Sequence, residues 1–420
     1  MNLRRVLIIG LEFVEPLFSG NGILTHSLVR SLLSQDFDVT VLCGQPNNAL
    51  SSSSLASNST SHEEEKLRIT SVPVPFNKWN RLDKGSAWEE MADNAPEAVL
   101  LSENLGTFDY VLGIDWSAMA TCNALKQYKF LPESSVYINL VFRVFSKSKE
   151  LIKSSDDEKF YHQSEALAME EAAVTFALSH VDRKELKSLV QNNDDKMSMQ
   201  SKSENINVLI PPLRDDFLKL TKLETTQSSL HYSRKYLLFN ARFSPEKNVV
   251  HYAKMMKKLS DQGYLKKWNV TPFLIGSTCD SEYADLVRSL LPVEAKLINY
   301  FLQPEELLFY LKQTVLLIHP PLYESYGMVI AEAAAAGTPT IIHEDSIGVT
   351  SLLCAEHEEI LTTDMASLRR STSSVIKMVN DRKHLSKVGQ NAQNRAFEWT
   401  TEDYGKTLVN EMTEKVAMPC

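Results

Sequence analysis

The most constraining stretch of this chain is the run Thr314-Val315-Leu316-Leu317-Ile318, followed a few residues later by Glu324 and, eight positions beyond that, by Glu332. The pattern is a buried strand, a tight loop from Pro320-Pro321 to Gly327, and a short alanine-rich helix. A strand that delivers one carboxylate at its carboxyl edge, and a second about two turns into the next helix, aims both at the crevice where α/β sheets bind ligands. Such a pair can grip two hydroxyl-rich parts of one ligand. Ser325 is placed to cap the first helical turn and Gly337 to close the last, leaving the amides near Tyr326, Gly327 and Met328 as an anion site. Glycine costs about 1 kcal/mol against alanine inside a helix, so Gly327 there implies close approach of a ligand or an unusual dihedral.

A second constellation precedes it. Tyr236 to Asn240 is a strand pattern, and Ala241-Arg242-Phe243-Ser244-Pro245-Glu246-Lys247 leads into a helix expected over Asn248 to Leu259, with Ser244 as N-cap and Pro245 at the first position. Lys247 then sits in the first turn, where the macrodipole disfavours a cation by roughly 0.3 to 1 kcal/mol, so something anionic must compensate. Arg242 and Lys247 at a helix start can neutralise a diphosphate, one by a forked contact and the other as a point charge. A surface salt bridge of these basic residues with Glu246 is the alternative.

Together these residues carry a family resemblance. Glu324 and Glu332, with Ser325-Tyr326-Gly327 after the first acid and Ala333 to Gly337-Thr338-Pro339 after the second, resemble the donor-site signature of GT-B glycosyltransferases, closest to the large retaining family 4. The resemblance implies an α/β fold of two Rossmann-like, doubly wound domains facing across a cleft. It also implies transfer from a nucleoside diphosphate sugar with retention, no metal and no further cofactor. On it, Arg242 and Lys247 contact the donor diphosphate, Glu324 holds sugar hydroxyls, Glu332 holds the ribose, and Ser325, Tyr326, Gly327 and Met328 complete the donor site. The Gly-Gly pair that the family commonly carries after the next strand is reduced to Gly348 within His343 to Val349, a departure in the local donor geometry. A nucleotide-sugar epimerase and a noncatalytic nucleotide-sugar-binding protein are the other readings.

The amino half is more diffuse. Arg5 to Ile9, Gly20-Asn21-Gly22, a helix marked by Leu24, Leu28 and Leu32, and a strand over Asp38 to Leu42 make a βαβ opening. The glycines read as a flexible loop and lack the third glycine of a dinucleotide fingerprint. The resemblance places Gly20 and Gly22 against the donor diphosphate. Phe108 to Ala118 is a strand ending in Asp115-Trp116, similar to the His-x-His-Asp-Trp segment of glycogen and starch synthases, but with Leu112 and Ile114 in place of the histidines. Asp115 orients the acceptor, takes part in proton transfer, or caps a helix. Glu165 to Ala177 reads as helical, and Ile298 to Leu302 as a strand. Asp36-Phe37-Asp38 reads as a solvated turn at the wrong sheet edge for the metal-binding DxD of GT-A enzymes.

The length of 420 residues suits two domains. We place the first at 1–212, with a terminal helix at about 401–420 crossing back to it, and the second at 213–400. Ser51 to Lys66 and Gln191 to Asn205 are too polar for a core and read as loops. A net charge of −9 argues against broad electrostatic attraction to nucleic acid or anionic lipid, with a local basic patch left open. Five scattered cysteines without a CxxC pair, and no apolar run of export-signal or spanning length, point to a cytoplasmic protein. The expected partners are the nucleotide-sugar donor and an acceptor, whether glycan, lipid-linked or small molecule, with peripheral membrane contact open.

Overall fold

The structure is a computed structural model that describes residues 4–13, 20–46, 68–76, 86–102, 106–148, 151–191, 204–227, 233–277 and 280–416. The Ser51 to Lys66 stretch and most of Gln191 to Asn205 lie outside the described residues. The chain divides into two compact units, residues 1–212 with 401–420, and residues 213–400.

In the first unit, β1 (Arg4–Gly10) is followed by α1 (Gly20–Ser34), β2 (Phe37–Pro46), β3 (Ile69–Phe76) and α2 (Ser86–Leu101). Then come β4 (Tyr110–Ile114), α3 (Ala118–Gln127), β5 (Val136–Val141), α4 (Ser155–Glu171), β6 (Val174–Ala177), α5 (His180–Gln191) and β7 (Ile206–Val208). They build a parallel seven-stranded sheet ordered β3-β2-β1-β4-β5-β6-β7. Val6, Ile8 and Ile9 of β1 are fully buried, as the central strand of a sheet covered on both faces requires. Val6 pairs with Val39 on one side and Tyr110 on the other, so the winding reverses between β1 and β4. Pro73 and Pro75 sit in β3 at the sheet edge, where a missing N–H is tolerated.

Two expectations change here. Gly20-Asn21-Gly22 is the first turn of α1, not a loop. The helical run expected to reach Ala177 stops at Glu171, Ala172 turns extended, and the β-branched and aromatic residues Val174-Thr175-Phe176 pair with β5.

The second unit begins with α6 (Asp215–Gln227), then β8 (Tyr236–Asn240), α7 (Val249–Asp261), α8 (Tyr264–Trp268), β9 (Thr271–Ile275), α9 (Ser281–Leu290), β10 (Lys296–Ile298) and α10 (Pro304–Lys312). It continues through β11 (Thr314–His319), α11 (Met328–Ala335), β12 (Thr340–His343), β13 (Leu361–Thr363), α12 (Leu368–Asn380) and α13 (Arg382–Phe397). The parallel sheet runs β10-β9-β8-β11-β12-β13, and its winding reverses between β8 and β11. The expected strand over Ile298 to Leu302 lies earlier, at Lys296–Ile298, because the chain must leave the sheet to form the Gln303/Glu306 capping box that starts α10. Tyr252 of α7 is fully buried; its hydroxyl donates to the Leu237 carbonyl (2.5 Å) and accepts from the Phe273 amide (3.2 Å), riveting the helix across two strands.

The last helix, α14 (Thr401–Val416), belongs to the first unit and packs on α1. At Gly405 a Cβ would stand 2.6 Å from the Ser31 carbonyl oxygen, so the helices touch backbone to backbone. Gly405→Val is expected to force them apart at a cost of about 1–3 kcal/mol, read as a lower urea midpoint for the first unit.

Candidate functional site

The strand pair at the reversal of the second sheet sets the site. β8 and β11 are neighbours in parallel register, Leu238 against Leu317, so the loops that follow them leave the same edge side by side. The β8 loop is anchored from β9, with the Ala241 amide on the Ile275 carbonyl (3.1 Å) and the Phe243 amide on the Ser277 carbonyl (2.8 Å). Pro245–Lys247 forms a short 3-10 turn. Asn248 is left-handed (φ 54°) and α7 starts only at Val249, so Ser244 caps no helix and its buried hydroxyl has no partner. The Asn248 side-chain amide donates to the Pro320 carbonyl (2.9 Å), which ties the two loops together.

Lys247 ends that turn with its ammonium 2.6 Å from Glu324 Oε2, across 77 residues of sequence. Lys247 therefore lies outside the helical turn expected for it, ending the 3-10 turn before α7, and its anionic partner is Glu324. His319, the buried last residue of β11, places Nε2 3.3 Å from the same oxygen. Burial alone would raise the Glu324 carboxyl, but Lys247 and His319 overcome it and hold it well below the usual carboxylate range. Burial also depresses the His319 imidazole, against the pull of Glu324. The Glu324 backbone is fixed as well, its amide on the Ser346 carbonyl (3.0 Å) and its carbonyl accepting from the Gly348 amide (2.8 Å).

Beyond Glu324, the loop turns through Gly327 at φ 92°, the N-cap of α11. Ser325, expected to cap this helix, does not; the left-handed glycine places its own carbonyl to accept the Ile330 amide (2.9 Å). Met328 opens the helix, and the Tyr326 side chain is buried, its hydroxyl without a partner and held above its ordinary pKa by burial. At the far end, the Gly337 amide meets Ala334 and the Thr338 amide meets Ala333, both at 2.8 Å, the double closure of a Schellman turn. Glu332 on α11 is buried, and burial pushes its carboxyl up to about 7, with Arg214 opposing and Asp216 reinforcing the rise. Arg214 forks onto Asp216 (2.7 and 2.6 Å) and lies 3.9 Å from Glu332.

The first unit has a carboxylate at its own reversal. Asp115, left-handed at φ 60° beyond β4, accepts the amides of Phe142 (2.7 Å) and Arg143 (3.1 Å) and the Asn21 side chain (3.4 Å). Burial raises its carboxyl to about 7. It is not a helix cap, since Ser117 occupies that position of α3. Gly20 and Gly22 flank Asn21 in the first turn of α1. A second buried acid, Glu165 of α4, accepts the amides of Phe145 (2.5 Å) and Ser146 (3.4 Å) and is also raised to about 7 by burial. Two carboxylates thus hold one segment, 142–146. Trp88 and Trp116 pack with tilted rings, centroids 5.1 Å apart, beside Phe145 and Tyr161.

Comparison with known proteins fits the second unit to a family: residues 222–395 match the family model described as Glycosyl transferases group 1. That match lies within the second unit. An uncharacterized glycosyltransferase of Methanocaldococcus jannaschii is 25% identical over 191 residues, 45% of this chain; the alignment spans about half of that relative, 46%. Among solved structures, sucrose-phosphate synthase from Thermosynechococcus elongatus superposes with a TM-score of 0.74 at 14% identity, covering 99% of each chain. The catalytic domain of Starch Synthase IV from Arabidopsis thaliana, bound to ADP and acarbose, gives 0.68 at 12% identity, covering 100% of each chain. Anabaena HepE in complex with UDP and glucose gives 0.62 at 13%, covering 98% of this chain and 100% of that one. The fold is GT-B, two Rossmann-like parallel-sheet domains.

Within the matched region, Lys247, Glu324 and the Tyr326-Gly327-Met328 turn come together, and Glu332 lies on the helix that the turn begins. Of the two basic residues it is Arg242 that takes the salt bridge with Glu246: 52% exposed, it pairs with that carboxylate at 3.2 Å. Sequence reasoning missed His319 and Arg214. The first sits one residue past the apolar run, where a histidine ending a buried strand was a signal; the second lies two residues past the domain boundary placed after residue 212. Among the described residues, no three His, Cys, Asp or Glu side chains gather to hold a metal ion.

Proposed function

We propose that this chain is a retaining glycosyltransferase that moves a sugar from a nucleoside diphosphate sugar to an acceptor hydroxyl without a metal. The observation that carries the proposal is the Lys247–Glu324 pair at the reversal of the second sheet, inside a group 1 domain. An ammonium has three donors, so engaging Glu324 leaves Lys247 capacity for a phosphate oxygen. A carboxylate held ionised can accept hydrogen bonds from sugar hydroxyls. Breaking the glycosidic bond develops positive charge on the ring and negative charge on the departing diphosphate. Lys247, Arg242 and the amides at the start of α11 stabilise that leaving charge. Glu332, on the helix that this turn begins, holds the ribose. The acceptor binds the first unit, where Asp115 orients it. The protein acts in the cytoplasm.

The test is nucleotide release over a panel of UDP-, GDP- and ADP-sugars with acceptor extracts. Arg242→Ala is expected to lower kcat by about 10²–10³ while leaving the unfolding midpoint within about 1 kcal/mol of the parent, because its exposed pair with Glu246 contributes little to stability. No donor binding and no release with any acceptor overturns the proposal, and conversion of the sugar without an acceptor assigns the epimerase reading instead.

A further inference from the structure

The chain is acidic overall, yet one stretch of the second unit is strongly basic. From 254 to 267 it carries Lys254, Lys257, Lys258, Lys266 and Lys267 against Asp261 alone, in a protein of net charge −9. Lys254, Lys257, Lys258 and Asp261 fall on one stripe of α7 at spacings of three and four residues, and Lys266 and Lys267 are exposed on the adjoining α8. Sequence segregation of this kind concentrates positive potential locally while the remainder of the molecule is negative.

The stripe is more than a solvated helix face. A groove runs beside it, lined by Lys254, Lys257, Lys258 and Asp261 together with Leu290 at the end of α9 and Leu368 at the start of α12. Both leucines are only half-buried; each packs one side against the core and leaves the other to the groove. Lysine stems lie along apolar surface while their ammonium heads reach outward. An apolar floor under a cationic rim fits an amphiphile with an anionic head. Asp261 offsets Lys257 at 3.4 Å, but both are more than half exposed, so the rim keeps its positive sign.

We propose that this face of the second unit docks onto an anionic lipid bilayer. No helix among the described residues is long and apolar enough to cross a membrane, so contact would be peripheral: lysines over acidic headgroups, with the leucine-floored groove receiving apolar surface. A nucleic acid or other polyanion satisfies the rim but not the floor. Docking is independent of sugar transfer, which is measured without vesicles.

The experiment is flotation of the full chain with phosphatidylcholine vesicles against vesicles containing phosphatidylserine, at low and high salt. Binding is expected only to the anionic vesicles and to fall with salt. Each lysine near such a surface contributes about fivefold in partition, so the triple variant Lys254→Gln, Lys257→Gln, Lys258→Gln is expected to lose about 10²-fold. Nucleotide release and the unfolding midpoint should stay at parental values, these side chains being outside the donor machinery. Equal binding to neutral vesicles, salt-insensitive binding, or capture by heparin with no vesicle binding overturns the proposal. So does undiminished partition of the triple variant. The salt series on the parent protein decides the matter if that variant folds poorly.

Discussion

Lys247→Ala is expected to lower sugar transfer by about 10²–10³ in kcat and to destabilise the second unit by about 3–5 kcal/mol. Both consequences follow from one ion pair. The Lys247 and Glu324 side chains are only 18% and 17% exposed, and the 2.6 Å contact keeps the carboxylate ionised there. Removing the ammonium strands a buried negative charge beside His319, whose imidazole burial already disfavours charging. The double variant Lys247→Met, Glu324→Gln separates the effects: its urea midpoint should recover most of the loss because no unpaired charge remains, while activity stays low. Parental stability of the single variant would mean that the pair is already solvated. Parental activity would remove Lys247 from the chemistry. The sign with pH follows from the depressed Glu324 carboxyl: its contribution is present above the ordinary glutamate value and is lost as pH falls below about 4 toward its native pKa.

Stability should also fall as pH rises from about 5 to 8, the opposite trend to that set by Glu324. Asp115, Glu165 and Glu332 are each pushed up to about 7 by burial. A carboxyl whose native pKa exceeds its unfolded value contributes stability that is complete below the unfolded pKa, about 4, and is lost as pH climbs through 7. At 1.36 kcal/mol per unit, each group represents on the order of 3 kcal/mol. Asp115 adds to the rise at Glu165, so their contributions are not additive in the first unit. Urea midpoints at pH 5.5 and 8 check this, and Glu165→Gln should flatten the slope because a neutral amide oxygen can still accept one of the 145–146 amides. A pH-independent midpoint in the parent would show that these acids are ionised in the folded protein.

Local chemistry was legible and long-range pairing was not. The strand over Thr314 to Ile318, the turn at Gly327 and the closure at Gly337 could be read because each is decided within a few residues. An anion near Lys247 was expected from a helix start that the structure moves to Val249, and its identity was not legible, because Glu324 lies 77 positions away. Arg242 looked equivalent to Lys247 in sequence; the 3-10 turn at Pro245–Lys247 separates them, leaving one exposed and the other paired. Ser244 and Ser325 misled for a shared reason: each stands where a side-chain cap would be placed, but a left-handed Asn248 and Gly327 reverse the chain and begin the helices instead. The clamp on 142–146 was illegible, since Glu165 reaches it from a helix that propensity alone extended too far.

The backbone contact between Gly405 and Ser31 has a consequence for biosynthesis. Because the helix that covers α1 is encoded after the whole of the second unit, a ribosome releases that unit ready to fold while the amino-terminal unit still lacks a piece. A fragment ending at 212 should therefore be prone to aggregate, and supplying 401–420 in trans, or permuting it ahead of residue 4, should rescue it.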